Sequence, residues 1–152
     1  MKRLNLYSLR RQAGVTILEF IAFIGLAALV IAGALGLYSS ANSGAQANDL
    51  FQMASGIATT VRQVAAGGTI PPVGSTISAP TGWRAATTTS PMTYTKDGSA
   101  STKIVLTLGT NNFTIALTAA DTKSAEQVTG KTIGTKSGTR QGSVVTWTAI
   151  EY

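Results

Sequence analysis

VTILEFIAFIGLAALVIAGALGLY, residues 15–38, is apolar apart from Thr16 and Glu19, and from Phe20 to Tyr38 it carries no charge. The uncharged part comes close to the roughly 20 residues that cross a hydrocarbon core as a helix, so the stretch predicts a membrane-spanning segment. Lys2, Arg3, Arg10 and Arg11 precede it with no acid among them. Basic residues on one flank hold that end in the cytoplasm, so everything after Tyr38 is expected on the far side.

Downstream of Tyr38 the apolarity thins without stopping. Leu50, Phe51, Ala54, Ile57, Ala58, Val61, Val64 and Ala65 recur at steps of three and four, the pattern of an amphipathic helix. There is no proline from Val15 to Ala66, whereas Gly67, Gly68, Pro71 and Pro72 form a stop. The expectation is one nearly continuous helix over 15–66, apolar all round in 15–38 and one-sided in 39–66. About 50 residues at 1.5 Å each make a rod on the order of 75 Å. Gly25, Gly33, Gly36, Gly44 and Gly56 weaken it, each costing up to ~1 kcal/mol against alanine.

Past the break the period becomes two. Met92–Thr95, Lys103–Leu108, Phe113–Thr118 and Ser143–Ile150 cluster or alternate β-branched and aromatic residues, and Gly109 to Asn112 reads as a hairpin loop. Thr118 with Asp121 resembles a helix start, predicting a short helix over Asp121–Val128 that ends near Gly130. Gly74–Ser90 and Gly130–Gly142, rich in Ser, Thr and Gly, read as loops. The fold class is therefore α+β: a leader over 1–14, a long N-terminal helix over 15–66, and an antiparallel sheet domain over 67–152 packed on the helix's second half.

Composition narrows function by exclusion. Of 152 residues none is cysteine or histidine, which removes thiol chemistry, the commonest transition-metal ligand and the usual neutral-pH acid/base. Asp97, Asp121, Glu126 and Glu151 are spaced without any paired-carboxylate pattern, so no catalytic residue, metal site or cofactor is expected. The net charge of +6 comes largely from the leader; removing its four cations from the twelve Lys and Arg leaves eight against six acids, a net of +2. The remaining cations are scattered and not interleaved with aromatics, so nucleic-acid binding is not expected of the chain itself.

The stretch RRQAGVTILEF, Arg10 to Phe20, closely resembles the amino terminus of type IV pilins, and VIAGALGLYSSANSGAQANDL looks like the type IVb and conjugative thin-pilus subunits. The resemblance is specific over Arg10 to roughly Ala66 and architectural beyond. It implies a prepilin peptidase that recognises Arg10, Arg11 and Gly14 and cuts after Gly14. It also implies N-methylation at Val15, an assembly role for Thr16, and Glu19 as the glutamate at the fifth place of the mature chain. The precursor would sit in the inner membrane and the product in an extracellular pilus, serving adhesion, aggregation, motility or DNA transfer. Its partners would be identical subunits, the peptidase and the assembly machinery of the inner membrane. Val15 stands where one subclass has phenylalanine, Gly36 where that subclass has proline, the leader is short for the IVb group, and the cysteine pair common near the carboxy terminus is missing. Burial against Phe51, Ile57, Val61 and Val64, and against neighbouring subunits, must take that pair's place.

A carboxylate inside an apolar helix is costly in lipid unless it finds a partner. On the resemblance, cleavage would place an ammonium on Val15 of every subunit, and packing with an axial stagger would let Glu19 of one subunit approach Val15 of another. Small residues such as Gly25, Ala28, Gly33 and Ala34 allow close approach between such helices. Glu19 lying at the cytoplasmic interface beside the arginines is the plainer account of the same residue.

Other readings remain open from sequence. A minor pilin or a type II secretion pseudopilin shares the processing. Ala45-Gln46-Ala47 forms an A-x-A site, at which signal peptidase would release a soluble binding domain starting at Asn48. A single-pass membrane enzyme lacks any motif. Asn112-Phe113-Thr114 is a glycosylation sequon in form. Trp83, Trp147, Tyr94 and Tyr152 read as an adhesive surface or as core packing, the second being the commoner use.

Overall fold

The computed structural model describes residues 16–67 and 77–152. Arg10, Arg11, Gly14 and Val15 lie outside the described residues, as do Pro71 and Pro72 of the stop. The chain divides into two units, Met1–Ser39 and Ser40–Tyr152, and a single helix, α1 (Ile17–Ala66), belongs to both.

In the first unit α1 is apolar and uncovered. Ile17, Leu18, Phe23, Leu29 and Leu37 are each 70–80% exposed, and the helix is long and apolar enough to cross a membrane. Apolar surface on this scale is unfavourable in water by about 25 cal/mol per Å².

In the second unit α1 buries Ser43, Ala47, Leu50, Ala54, Ile57, Ala58 and Val61, a stripe on one face at steps of three and four. The stripe starts seven residues before Leu50, where the amphipathic pattern begins. Ser43 and Ala47 are weak apolar signals, yet their small side chains let the helix come close, with the Ser43 carbonyl 3.4 Å from Ser124 Oγ. Of the other expected positions, Phe51 and Ala65 are half-buried, and Val64 stays 42% exposed because no described residue covers it.

Against this stripe packs a six-stranded antiparallel sheet. Its strands are β1 (Trp83–Ala85), β2 (Met92–Lys96), β3 (Ser99–Leu108), β4 (Asn112–Thr118), β7 (Thr139–Gln141) and β8 (Val144–Glu151), in the order β1-β2-β3-β4-β8-β7. A two-stranded ribbon, β5 (Thr132–Ile133) with β6 (Lys136–Ser137), forms a separate ladder beside β8. The arrangement is α+β, as the periodicity predicts. Register aligns Met92, Leu106, Ile115 and Trp147 in one buried row and Tyr94, Ile104, Leu117 and Val145 in the next. The alternate residues Thr93, Val105, Ala116 and Thr146 form a row on the opposite face, as the two-residue period of a pleated strand requires.

The structure differs from the sequence expectation where elements are short. Gly74–Ser90 contains β1, and Gly130–Gly142 contains β5, β6 and β7; strands of two or three residues are too brief to show a period. β3 starts at Ser99, four residues earlier than expected, because Asp97-Gly98 turns the chain tightly with Gly98 at φ 78°. The helix α2 spans Thr122–Val128, but its cap is Asp121 alone, and Thr118 is instead the last residue of β4.

Asp121 accepts from the Ser124 amide at 2.7 Å and from Ser124 Oγ at 2.8 Å. The amide hydrogen bond, assisted by the hydroxyl, holds the carboxyl below its ordinary 3.8. A depressed carboxyl stabilises the fold above the unfolded value and loses that contribution as pH falls through the folded one. Acid unfolding monitored by circular dichroism is expected to steepen below pH 3.8, and Asp121→Asn, which keeps a capping oxygen, is expected to remove that part of the slope. Asp121→Ala is expected to cost ~1 kcal/mol at neutral pH.

Side-chain contacts tie the C-terminal strand and its neighbours to α1 and to one another. Tyr152 donates its hydroxyl to the Gly109 carbonyl at 2.7 Å and stacks at 5.6 Å on Phe113. Arg62 Nε donates to the Glu151 carbonyl at 3.2 Å. Lys96 pairs with Asp49 at 2.5 Å, linking β2 to α1. Trp147 donates Nε1 to the Lys131 carbonyl at 2.9 Å, with its ring 6.2 Å from Phe51. The Lys131 ammonium lies 5.0 Å above the same Phe51 ring and donates to Asn48 Oδ1. Gly138 passes beside this cluster; a Cβ there would meet Val145 Cγ1 at 2.7 Å and the Trp147 ring at 3.0 Å.

At the other side of the core the Met92 sulfur accepts from the Ile77 amide at 3.3 Å, and Tyr94 donates its hydroxyl to the Ile77 carbonyl at 2.8 Å with the sulfur 3.4 Å from the same phenol oxygen. Burial pushes the Tyr94 phenol up to about 12. Met92→Leu keeps the volume but leaves the buried Ile77 amide without its acceptor, an effect of about 1–3 kcal/mol. Urea unfolding of this variant is expected to show that loss. A change below about 0.5 kcal/mol would mean that the sulfur is only a filler.

Candidate functional site

Thr16 and Glu19 close on one another at the start of α1. The Thr16 amide donates to Glu19 Oε2 at 2.9 Å and the Thr16 hydroxyl donates to the same oxygen at 3.0 Å, while the Glu19 amide donates to Thr16 Oγ1 at 3.2 Å. The Thr16 carbonyl accepts the first helical bond, from the Phe20 amide at 3.0 Å. This is a capping box, in which a threonine at the cap and a glutamate three residues on satisfy each other's free amides. The T-x-x-E spacing ahead of an apolar run is legible in residues 16–19, but sequence reasoning directed to a partner outside the chain misses it. Glu19 is exposed, its carboxylate is folded over its own helix terminus, and among the described residues nothing bonds Oε1.

Four small residues were expected at helix contacts. Gly25, Ala28, Gly33 and Ala34 are all exposed, and a Cβ added at Gly25 or Gly33 meets nothing within 4 Å. They do not share a face: at about 100° per residue Ala34 lies roughly half a turn round from Gly25. Gly25, Ala28, Ala32 and Gly36 do line one side, and Ala32 and Gly36 are the members the residue pattern leaves unnamed. Among the described residues nothing packs against Gly25, Gly33 or Gly36 to offset their weakening of the helix.

The described acids of the sheet unit are spread over separate contacts. No group of three or more acids that could hold a metal ion occurs there. Asp49 pairs with Lys96, Asp97 lies 3.8 Å from Arg84, and Asp121 caps α2. A cavity of about 290 Å³ between Arg62, Ala65, Ala66 and Tyr152 holds no acid. Trp83, Trp147 and Tyr94 are core residues and Tyr152 is half-buried, so they form no aromatic surface. Asn112 is exposed at the start of β4. Ala45 to Ala47 lies inside α1, with Ala47 only 1% exposed.

Comparison with protein-family models, with curated proteins and with solved structures finds no match for this chain.

Proposed function

We propose that this chain is the precursor of a type IV pilin-like structural subunit, closest in character to the IVb and conjugative thin-pilus type. It is cut after Gly14 by a prepilin peptidase that reads Arg10, Arg11 and Gly14, and is methylated at Val15. It then moves from the inner membrane into a helical surface filament serving adhesion, aggregation, motility or DNA transfer. The observation that carries the reading is an uncovered apolar half-helix with one carboxylate at its start, continuous with a half-helix that is buried on a sheet.

Lipid covers such a half-helix before assembly, and like helices cover it afterwards. Contact between Val15 of one subunit and Glu19 of the next uses two different patches, and a head-to-tail contact that does not close into a ring generates a filament. Release of a soluble domain at Ala47 is disfavoured by the burial of Ala47 and Ser43, since cleavage there would cut through the stripe that packs on the sheet. A minor pilin or a pseudopilin would share the processing and differ in abundance. Intact mass and N-terminal sequencing of the chain from native membrane and surface fractions test the reading. An N-methylated Val15 terminus is expected; a terminus at Asn48, or an uncut Met1, would overturn it.

A further inference from the structure

We infer that the sheet unit carries a carboxylate-binding site at Arg62, and that its occupant is Glu126 of a second copy of this chain, so that copies join head to tail through their sheet units. The inference rests on the filament reading above and names a contact outside the apolar half-helices.

Arg62 is held in place with its outer end free. Its Nε donates to the Glu151 carbonyl at 3.2 Å. The guanidinium lies against Gly134, where an added Cβ would stand 3.3 Å from Cζ and closer still to Nη2. Gly134, at φ 64°, leaves that room by having no side chain. Among the described residues Nη1 and Nη2 have no hydrogen-bond partner. Arg62 lines the cavity of about 290 Å³ with Ala65, Ala66 and Tyr152, and none of those three brings an acidic side chain to it. A planar fork with free N–H groups matches a carboxylate, and one that is already positioned loses less freedom on pairing than a flexible surface lysine.

The acids of the chain single out one occupant. Of six, Glu19 is folded over the start of α1, Asp49 pairs with Lys96, Asp97 lies beside Arg84, and Asp121 caps α2. Glu151 follows the buried Ile150, so its side chain projects from the opposite face of β8. Glu126 is exposed on α2, and among the described residues its carboxylate has no partner. It does not reach Arg62 of its own chain. α2 meets α1 at Ser43 and Gly44, with Ser124 Oγ 3.4 Å from the Ser43 carbonyl and Gln127 Oε1 3.2 Å from the place of a Cβ on Gly44. From there to Arg62 is about 18 residues of helix, on the order of 27 Å. Cation and acid thus sit at opposite ends of one unit, where each meets its counterpart in another copy. One copy gives Glu126 at one end and receives at Arg62 at the other, so the contact repeats from copy to copy. A single charge pair of this kind fixes the register between copies.

The test uses the full chain in mild detergent, with thiols introduced into a sequence that has no cysteine. Ala66→Cys marks the cavity, and Thr122→Cys marks α2 one turn from Glu126; both positions are exposed. With a short bifunctional thiol reagent the double variant is expected to give a ladder of dimers, trimers and longer products, while either single variant stays a monomer. Adding Glu126→Gln to the double variant is expected to lower the ladder about tenfold, and adding Glu151→Gln to leave it unchanged. No ladder, dimers from either single variant, or equal ladders with and without Glu126→Gln would overturn the inference. The ladder needs neither cleavage after Gly14 nor an assembly machinery. An uncut Met1 in native membranes therefore sinks the filament reading by itself and leaves the ladder to judge this contact.

Discussion

Glu19→Ala is expected to be cut after Gly14 and inserted like the natural chain, yet to give filaments in a yield lower by about tenfold or more. Two unit charges about 4 Å apart interact by about 1 kcal/mol in water and about 4 kcal/mol at an effective dielectric of 20. Each 1.4 kcal/mol is tenfold in an equilibrium, so losing one pair at every subunit addition outweighs small changes in packing. The capping box complicates alanine as a probe, because Glu19 also satisfies the Thr16 amide. Glu19→Gln separates the two roles, since glutamine serves in a capping box but carries no charge. The ratio of sheared filament to membrane pool, with intact mass to confirm cleavage, should fall in both variants. Normal filaments from Glu19→Gln would leave Glu19 a helix cap and nothing more.

Trp147→Ala is expected to cause the largest loss of stability, about 3–5 kcal/mol. The side chain is fully buried, stacks towards Phe51 of α1, and holds the Lys131 carbonyl through Nε1. Its removal opens a void between helix and sheet and leaves that carbonyl without its donor. Domains of this size have about 5–15 kcal/mol in total, so the variant should unfold at much lower urea, with Trp83 remaining as the fluorescent probe. Trp147→Phe fills most of the volume and loses only the hydrogen bond, so a cost of about 1–3 kcal/mol is expected. Equal costs for the two substitutions would show that packing between Trp147 and α1 contributes little.

What could be read from the residues alone follows their periodicity. α1 was legible over Ile17 to Ala66 because an unbroken apolar run merges into a three-and-four pattern and ends at glycines and prolines. The long strands were legible because Tyr94, Ile115 and Leu117 alternate with small or polar residues and Ile104, Val105 and Leu106 form a β-branched apolar cluster. Ser43 and Ala47 were not, since their contribution is closeness of approach and not apolar area. β1, β5, β6 and β7 are set by pairing with longer neighbours and carry no period of their own. At the helix start, the T-x-x-E pattern of Thr16 and Glu19 was in plain view, but a carboxylate amid apolar residues draws attention to distant charges before local amides. Val64 was assigned to the buried face by spacing alone, which does not register where cover ends.

The two outer strands of the sheet, β1 and β7, are three residues each. A long open edge exposes a row of unpaired amides and carbonyls that another chain can zip onto, and many identical domains held at close quarters would multiply that hazard. Each of these two strands offers barely one repeat of the ladder, and each carries an arginine, Arg84 on one side and Arg140 on the other. Edge-to-edge union would set guanidinium against guanidinium. Pairing of β1 or β7 with its copy is thereby disfavoured, and an orderly contact between such domains would have to use some other surface.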